Sequence, residues 1–250
     1  DRCRPGHYNL IWQQDMARRP GAWTANNGFM AQLKAVLFDL DGVLVDSHNL
    51  HYSSWRVLAD ELGLRFNRQL GDAFRGMERE ECVRVLFEEF NQQPRPDARQ
   101  AHELTERKNR LYQEMLTKAG PADLALPGAR ALLAALQAEG ITRVVCSGSK
   151  NAKTVLARAQ MADDVDLVVD RYDVVNTKPD PAIFTVGAAR AGAQPNEVVG
   201  VEDAILGIQA LRAAGIKAIG VGHYVDDGDL LVEHLQDLTI EAMRALVAPL

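Results

Sequence analysis

Val36-Leu37-Phe38-Asp39-Leu40-Asp41-Gly42-Val43-Leu44-Val45-Asp46 decides the fold. Val36, Leu37 and Phe38 have the apolar, β-favouring character of a buried parallel strand. The run stops at two aspartates separated by one residue, Asp39 and Asp41, followed by Gly42. A buried strand has no use for unpaired carboxylates at its end, because buried charge is costly. A divalent cation offsets that cost. Mg²⁺ takes oxygen ligands and is usually held by one or two carboxylates together with substrate phosphate. The stretch therefore predicts a metal-dependent phosphoryl-transfer site at the C-terminal end of a strand. A turn is the competing reading, since Asp and Gly dominate turns, and the rest of the chain decides between them.

Past Asp46 the pattern turns helical. Leu50, Trp55, Leu58, Leu62 and Leu64 predict an amphipathic helix ending near Gly63. Residues 79–90 and 97–118 are also helical in pattern, with Pro94 and Pro96 breaking the chain between them. No strand-like run is read from 47 to 125, so this region is expected to be a helical insertion. From Pro127 and Gly128 onward the pattern alternates. Helices are predicted at 128–139, 150–160, 180–191 and 204–214, and strands at 142–146, 166–169, 198–201 and 217–221. Such alternation implies a parallel sheet with helices on both faces. In sheets of this kind ligands bind beyond the carboxyl ends of the strands.

Those ends carry polar residues. Strand 142–146 runs into Ser147-Gly148-Ser149-Lys150-Asn151, where a hydroxyl and backbone N–H groups can bind phosphate oxygens. Ser149 as a helix cap is the plainer reading of the same loop. Strand 166–169 is followed by Asn176-Thr177-Lys178-Pro179, and Pro179 restricts Lys178 to an extended conformation. A cation is needed where aspartates and a phosphoryl group converge, since charges about 4 Å apart interact at about 4 kcal/mol even at an effective dielectric of 20. The alternative is a solvated surface lysine. Strand 198–201 ends in Glu202-Asp203, a second acidic pair, which a helix cap would also explain. For the site to be absent, every one of these plainer explanations must hold independently.

Composition narrows the partners. The formal net charge of -6 offers no basic surface suited to nucleic acid. No apolar run is long enough to cross a membrane. Cys3, Cys82 and Cys146 are few and far apart, which fits reduced thiols and a cytoplasmic location better than a disulfide framework or a zinc site. Residues 1–32 read as an N-terminal extension of unassigned role. It contains Arg2, Arg4, Arg18 and Arg19, and Met16 and Met30 are both plausible starts. It lacks the apolar core and cleavage site of a secretory signal.

Together these residues resemble the haloacid dehalogenase (HAD) superfamily of phosphotransferases. Asp39-Leu40-Asp41-Gly42-Val43 matches its nucleophile motif, Ser147 the second motif, Lys178 the third and Glu202-Asp203 the fourth. The resemblance covers about residues 33–248. Within the insertion it narrows to the β-phosphoglucomutase-like subfamily, through Asp46-Ser47 with His51 and Trp55. Phe74-Arg75-Gly76-Met77-Glu78-Arg79-Glu80 resembles a substrate-specificity loop, and Arg107-Lys108-Asn109 with Tyr112 also fits. Arg75 stands where Lys is usual, Cys82 where serine is expected, Gly148 in place of alanine and Ser47 in place of threonine.

The resemblance implies a doubly wound, Rossmann-like parallel-sheet core from 33–46 and 126–250, with 47–125 as an α-helical cap domain. It implies that Asp39 is the nucleophile and that Asp41 is general acid, then general base. Mg²⁺ would be held by Asp39, the Asp41 backbone carbonyl and Asp203, with Glu202 as ligand or support. Ser147, Gly148 and Lys178 would bind the phosphoryl group. Arg79, with Lys108 and Asn151, would form a second phosphate site. Arg75, Gly76 and Trp55 would line a sugar pocket, and His51 would couple closure to catalysis. The implied activity is a mutase on β-glucose 1-phosphate and glucose 6-phosphate, passing through an aspartyl-phosphate and β-glucose 1,6-bisphosphate. A sugar-phosphate phosphatase is the alternative, and a non-catalytic phosphosugar-binding regulator a remoter one. The expected partner is a small phosphorylated sugar, and the expected state a monomer.

Overall fold

The computed structural model describes residues 32–247, so the predicted N-terminal extension lies outside the described residues except for Gln32. Strand β1 is Ala35–Phe38. Its side chains alternate between two faces, and each face finds its own apolar layer. Val36 and Phe38 pack in one cluster, Ala35 and Leu37 in another. β2 (Thr142–Cys146), β3 (Leu167–Val169), β4 (Val198–Glu202), β5 (Lys217–Val221) and β6 (Leu230–Val232) complete a six-stranded sheet in the order β3-β2-β1-β4-β5-β6. Every pairing is parallel. This is the doubly wound order, with the topological switch beside β1.

The insertion supplies helices α1 (His48–Glu61), α2 (Arg68–Ala73), α3 (Arg79–Arg84), α4 (Ala98–Lys118) and α5 (Pro121–Leu124). α3 continues into a π-helical turn, Val85–Phe90. The chain leaves the sheet at Val45 and returns at Ala125, and these two residues form an antiparallel bridge. Trp55, Leu58, Leu70, Phe74, Val83, Leu86 and Leu111 make a separate apolar cluster for these helices. The far end of α4 does otherwise: Tyr112 and Leu116 join the cluster on the Val36 face of the sheet. One helix thus belongs to both regions.

α6 (Ala129–Ala138), α7 (Ala152–Arg158) and α10 (Ile240–Val247) cover the Val36 face through Leu133, Val155 and Met243. α8 (Ala182–Arg190) and α9 (Ile205–Ala213) cover the other through Phe184 and Leu211. The predicted strands and the helices between them are found with ends shifted by a few residues. β6, α2, α5 and α10 have no counterpart in the sequence reading, and the π-helical turn falls within the helix expected at 79–90.

Candidate active site

Register brings the acids together. Phe38 on β1 is level with Val145 on β2 and Val201 on β4, so Asp39 follows β1 beside Cys146 and Glu202. The backbone N–H of Asp39 donates to the Val201 carbonyl at 2.9 Å, and that of Ser147 to the Val169 carbonyl at 3.0 Å. Asp39, Ser147, Glu202 and Asp203 are all buried. Gly42 lets the chain turn sharply above them: its φ is +96°, and a Cβ there would lie 2.1 Å from His48 Nε2 and 2.3 Å from Asp203 Oδ2.

Lys178 is the cation among these acids. Its Nζ donates to Asp39 Oδ1, to Glu202 Oε1 at 2.5 Å and to the Cys146 carbonyl at 3.2 Å. The solvated-lysine reading therefore fails. Burial works against the charge on Lys178, but Asp39 and Glu202 outweigh it and hold the pKa above the usual lysine value. Burial raises the Asp39 carboxyl above its ordinary pKa; Lys178 opposes the shift, and the charges of Asp203 and Asp41 add to it. Glu202 is raised for the same leading reason. Its Oε2 accepts backbone N–H bonds from Asp203 at 3.1 Å and Ala204 at 3.3 Å, so both of its oxygens already have partners.

Asp39, Glu202 and Asp203 offer carboxylate oxygens within 4.8 Å of one another. Asp39 and Glu202 share Lys178 while Asp203 leans on His48 and, at 3.4 Å, on Arg75, so these three buried carboxylates outnumber the lysine and arginine beside them. An all-oxygen set with excess negative charge fits a hard divalent cation such as Mg²⁺. The Asp41 side chain is not part of that set. Its Oδ1 accepts from Ser47 Oγ and stands 3.7 Å from His51 Nε2. Burial would raise Asp41, but the His51 ring and the Ser47 hydroxyl more than offset this, and its pKa falls to about 2.

The chain from 33 to 215 matches the family model of the haloacid dehalogenase-like hydrolases. The chain belongs to that family. Within the family it is 36% identical over 214 residues to a β-phosphoglucomutase of Bacillus subtilis, covering 85% of this chain and 94% of the relative. It is 29% identical over 206 residues to a phosphorylated carbohydrates phosphatase of Thermotoga maritima, covering 80% and 91%. Among solved structures, a β-phosphoglucomutase from Clostridium difficile matches with a TM-score of 0.80 at 29% identity, over 86% of this chain and 97% of that one.

In this haloacid dehalogenase-like chain one cavity gathers the residues expected to act on metal or substrate, with a single exception. His51, Trp55, Arg75, Gly76, Arg79 and Lys108 reach it from the insertion, and Ser147, Gly148 and Lys178 from the sheet. Asn151 is the exception. It is buried behind the wall, donating to Asn109 Oδ1 at 2.8 Å and accepting from Gln113 Nε2 at 3.0 Å. Its amide ties α4 to the sheet and has little left for a ligand. Lys108 Nζ lies 2.8 Å from His51 Nδ1. Burial, then the neighbouring Lys108 charge, lowers His51 to about 4, so the ring is neutral at pH 7. As acceptor from Lys108 at Nδ1, it carries its proton on Nε2, facing Asp41.

His48 escaped the sequence reading. The first residue of α1, it places Nε2 3.0 Å from Asp203 Oδ2. The signal was the His48-x-x-His51 spacing, which puts both rings on neighbouring positions of one helix face, one over Asp203 and the other over Asp41.

Proposed function

We propose that the protein is a Mg²⁺-dependent phosphosugar mutase that interconverts β-glucose 1-phosphate and glucose 6-phosphate. The haloacid dehalogenase-like family and its phosphosugar mutase and phosphatase relatives support the coarser reading, phosphoryl transfer on small phosphorylated sugars. One observation carries the finer one. The cavity has anion-binding groups at two places. Ser147 follows β2 and Lys178 joins it from the loop after β3, and Arg79 in the wall keeps a buried Nη1 with no partner among the described residues. A hydrolase of simple esters needs only the first. A mutase must hold the phosphate that is not reacting, and a guanidinium suits that task.

In this mechanism Asp39 attacks the phosphorus, the bond from phosphorus to the sugar oxygen breaks, and an aspartyl-phosphate forms. Lys178 and Ser147 hold the equatorial phosphoryl oxygens. Asp39, Asp203 and the Asp41 carbonyl would hold Mg²⁺, with Glu202 positioning Lys178. The ion, when bound, would neutralise phosphoryl charge and help align the attack. Asp41 is a carboxylate in the ligand-free arrangement, ready to take the proton of an incoming hydroxyl. In the opposite direction it must carry a proton to the leaving oxygen, and the charge of a bound phosphoryl group raises its pKa toward that state. Water as acceptor gives a phosphatase; a sugar hydroxyl gives the bisphosphate and then the isomerised product.

Residues 47–125 act in this proposal as a cap that chooses the acceptor, on a core of 33–46 and 126–250. Cys82 and Cys146 are buried free thiols, in keeping with a cytoplasmic enzyme; the proposed state is a monomer. The test supplies β-glucose 1-phosphate, trace β-glucose 1,6-bisphosphate and Mg²⁺, and follows glucose 6-phosphate and free phosphate together. Glucose 6-phosphate without matching phosphate release is expected. Phosphate release without isomerisation moves the protein to the phosphatases, and binding without turnover of any sugar phosphate makes it a regulator.

A further inference from the structure

Arg75 is held oddly for a largely covered arginine. Only 11% of its side chain is exposed, yet its ion pairs are long: Nη1 to Asp203 Oδ2 at 3.4 Å and Nη2 to Asp72 Oδ1 at 3.6 Å. Its Nε is buried with no partner among the described residues. The Asp203 contact is a long hydrogen bond and the Asp72 contact is longer still, so the carboxylates hold the guanidinium loosely. An aromatic ring supplies the close contact. The Arg75 Cζ lies 3.8 Å from the centroid of Tyr224.

Tyr224 comes from the loop between β5 and β6, far in sequence from the insertion that carries Arg75. The loop is tied to the sheet at both sides of the ring. The Gly222 N–H donates to the Val232 carbonyl at 2.9 Å, and Val225 is buried in the apolar cluster beneath. His223 packs on the Tyr224 ring with centroids 4.2 Å apart. The platform is thus fixed to the sheet, while Arg75 belongs to the loop between α2 and α3. That loop meets the sheet closely at the next residue: Gly76 has φ +68°, and a Cβ there would lie 3.2 Å from Ala204 Cβ.

We propose that Tyr224 is a positioning residue for substrate recognition: its ring sets the plane of Arg75, so that the guanidinium edge faces the cavity for a phosphorylated sugar. This rests on the phosphosugar reading of the site. A planar cation stacked on a ring keeps its in-plane N–H donors free, which a lysine ammonium, lacking a plane, cannot match. The stack therefore gives a physical reason for arginine at 75, where the resembled family usually has lysine. A small phosphoester that fills only the Lys178 end does not reach Arg75 and gains nothing from the stack.

The test compares Tyr224→Ala, Tyr224→Phe, Arg75→Lys and the Tyr224→Ala/Arg75→Lys double variant. Substrates are β-glucose 1-phosphate, with trace bisphosphate and Mg²⁺, and acetyl phosphate. Tyr224→Ala is expected to raise KM for the sugar phosphate about 2- to 30-fold, the range for a cation on an aromatic face. Its kcat, and its hydrolysis of acetyl phosphate, should stay within about twofold of wild type. Tyr224→Phe should match wild type, because the ring and not the hydroxyl acts. In the Arg75→Lys background, removing the ring should add little. An unchanged KM in Tyr224→Ala, equal damage from Phe and Ala, or additive losses in the double variant overturns the inference alone. A wild-type protein that turns over acetyl phosphate but no sugar phosphate removes the functional reading and this inference with it.

Discussion

Glu202 Oε1 accepts a hydrogen bond from Lys178 Nζ at 2.5 Å, with the Glu202 side chain 1% and the Lys178 side chain 7% exposed. The same ammonium serves Asp39. One lysine thus compensates two carboxylates that burial pushes upward in pKa. Nothing else among the described residues pairs with either side chain as a cation. The catalytic lysine of the proposal is therefore also a structural one.

Removing it should unfold the protein in a pH-dependent way. Breaking a buried pair by deleting one partner costs about 3–5 kcal/mol, which for a chain of this size lowers Tm by roughly 10 °C. In Lys178→Ala, Asp39 and Glu202 keep their burial and lose their counter-charge. A carboxyl whose folded pKa lies above its unfolded value binds more protons when folded, so stability falls as pH rises through that window. The Tm deficit should be small near pH 5, where both can be protonated, and large near pH 8. A deficit that does not change with pH would contradict the pairing.

Metal binding should be visible without any substrate. Asp203 offers its carboxylate to the same space as Asp39 and Glu202, although His48 and Arg75 already lean on its Oδ2. A ligand at about 100 times its Kd stabilises the folded state by about 2.7 kcal/mol. Mg²⁺ should therefore raise the Tm of wild type by several degrees and leave Asp203→Asn unmoved. Thermal scans against Mg²⁺ concentration test it, and an equal shift in both proteins would take Asp203 out of the site.

Arg79 separates the two leading activities. Its buried Nη1 has no partner among the described residues, and a hydrogen bond from it to a charged group would be worth about 1.5–3 kcal/mol. Arg79→Ala should then lose about 10- to 150-fold in kcat/KM for β-glucose 1-phosphate. Hydrolysis of acetyl phosphate should hardly change. Equal losses on both substrates would mean that Arg79 serves the fold, or the reacting phosphoryl group, and not a second phosphate.

How much of this was legible in sequence depends on reach. The acids after β1 and β4 and the serine after β2 could be read because each ends an apolar run, and parallel register does the rest. Lys178 was marked by the proline beside it, and a solvated lysine stayed open until the fold placed its ammonium between Asp39 and Glu202. β6 escaped because Leu230–Val232 is a three-residue edge strand, too short to stand out as a run. α2 is six residues long and depends on Asn67, whose side chain accepts from the Leu70 N–H at 2.9 Å. Asn151 was placed on the cavity from its loop, but its amide faces α4, and no local pattern reports that. The Arg75–Tyr224 stack joins positions 149 residues apart in the chain, so only the folded state reveals it.

Lys108 gives the last prediction, and its sign is opposite to that of Lys178. It is 1% exposed and packs near the rings of Trp55 and Tyr112. Burial, then the charge of Arg79, lowers its pKa to about 7, well under the ordinary lysine value of about 10.4. Between those two values the unfolded chain binds more protons than the folded one, so stability rises with pH across that interval. Below pH 7 the folded protein bears the full cost of a buried ammonium. Lys108→Met, which keeps the length and drops the charge, should be more stable than wild type in urea at pH 6.5. The difference should shrink from pH 7.5 upward and vanish or reverse above about pH 10.5, where the neutral amine still bonds His51 and methionine does not. A constant difference over that range would mean that Lys108 keeps its ordinary pKa inside the fold. The cost implies a use: the ammonium that destabilises the empty cavity at neutral pH adds positive charge where a phosphorylated sugar would bind. The same variant should therefore bind β-glucose 1-phosphate more weakly while it folds more stably.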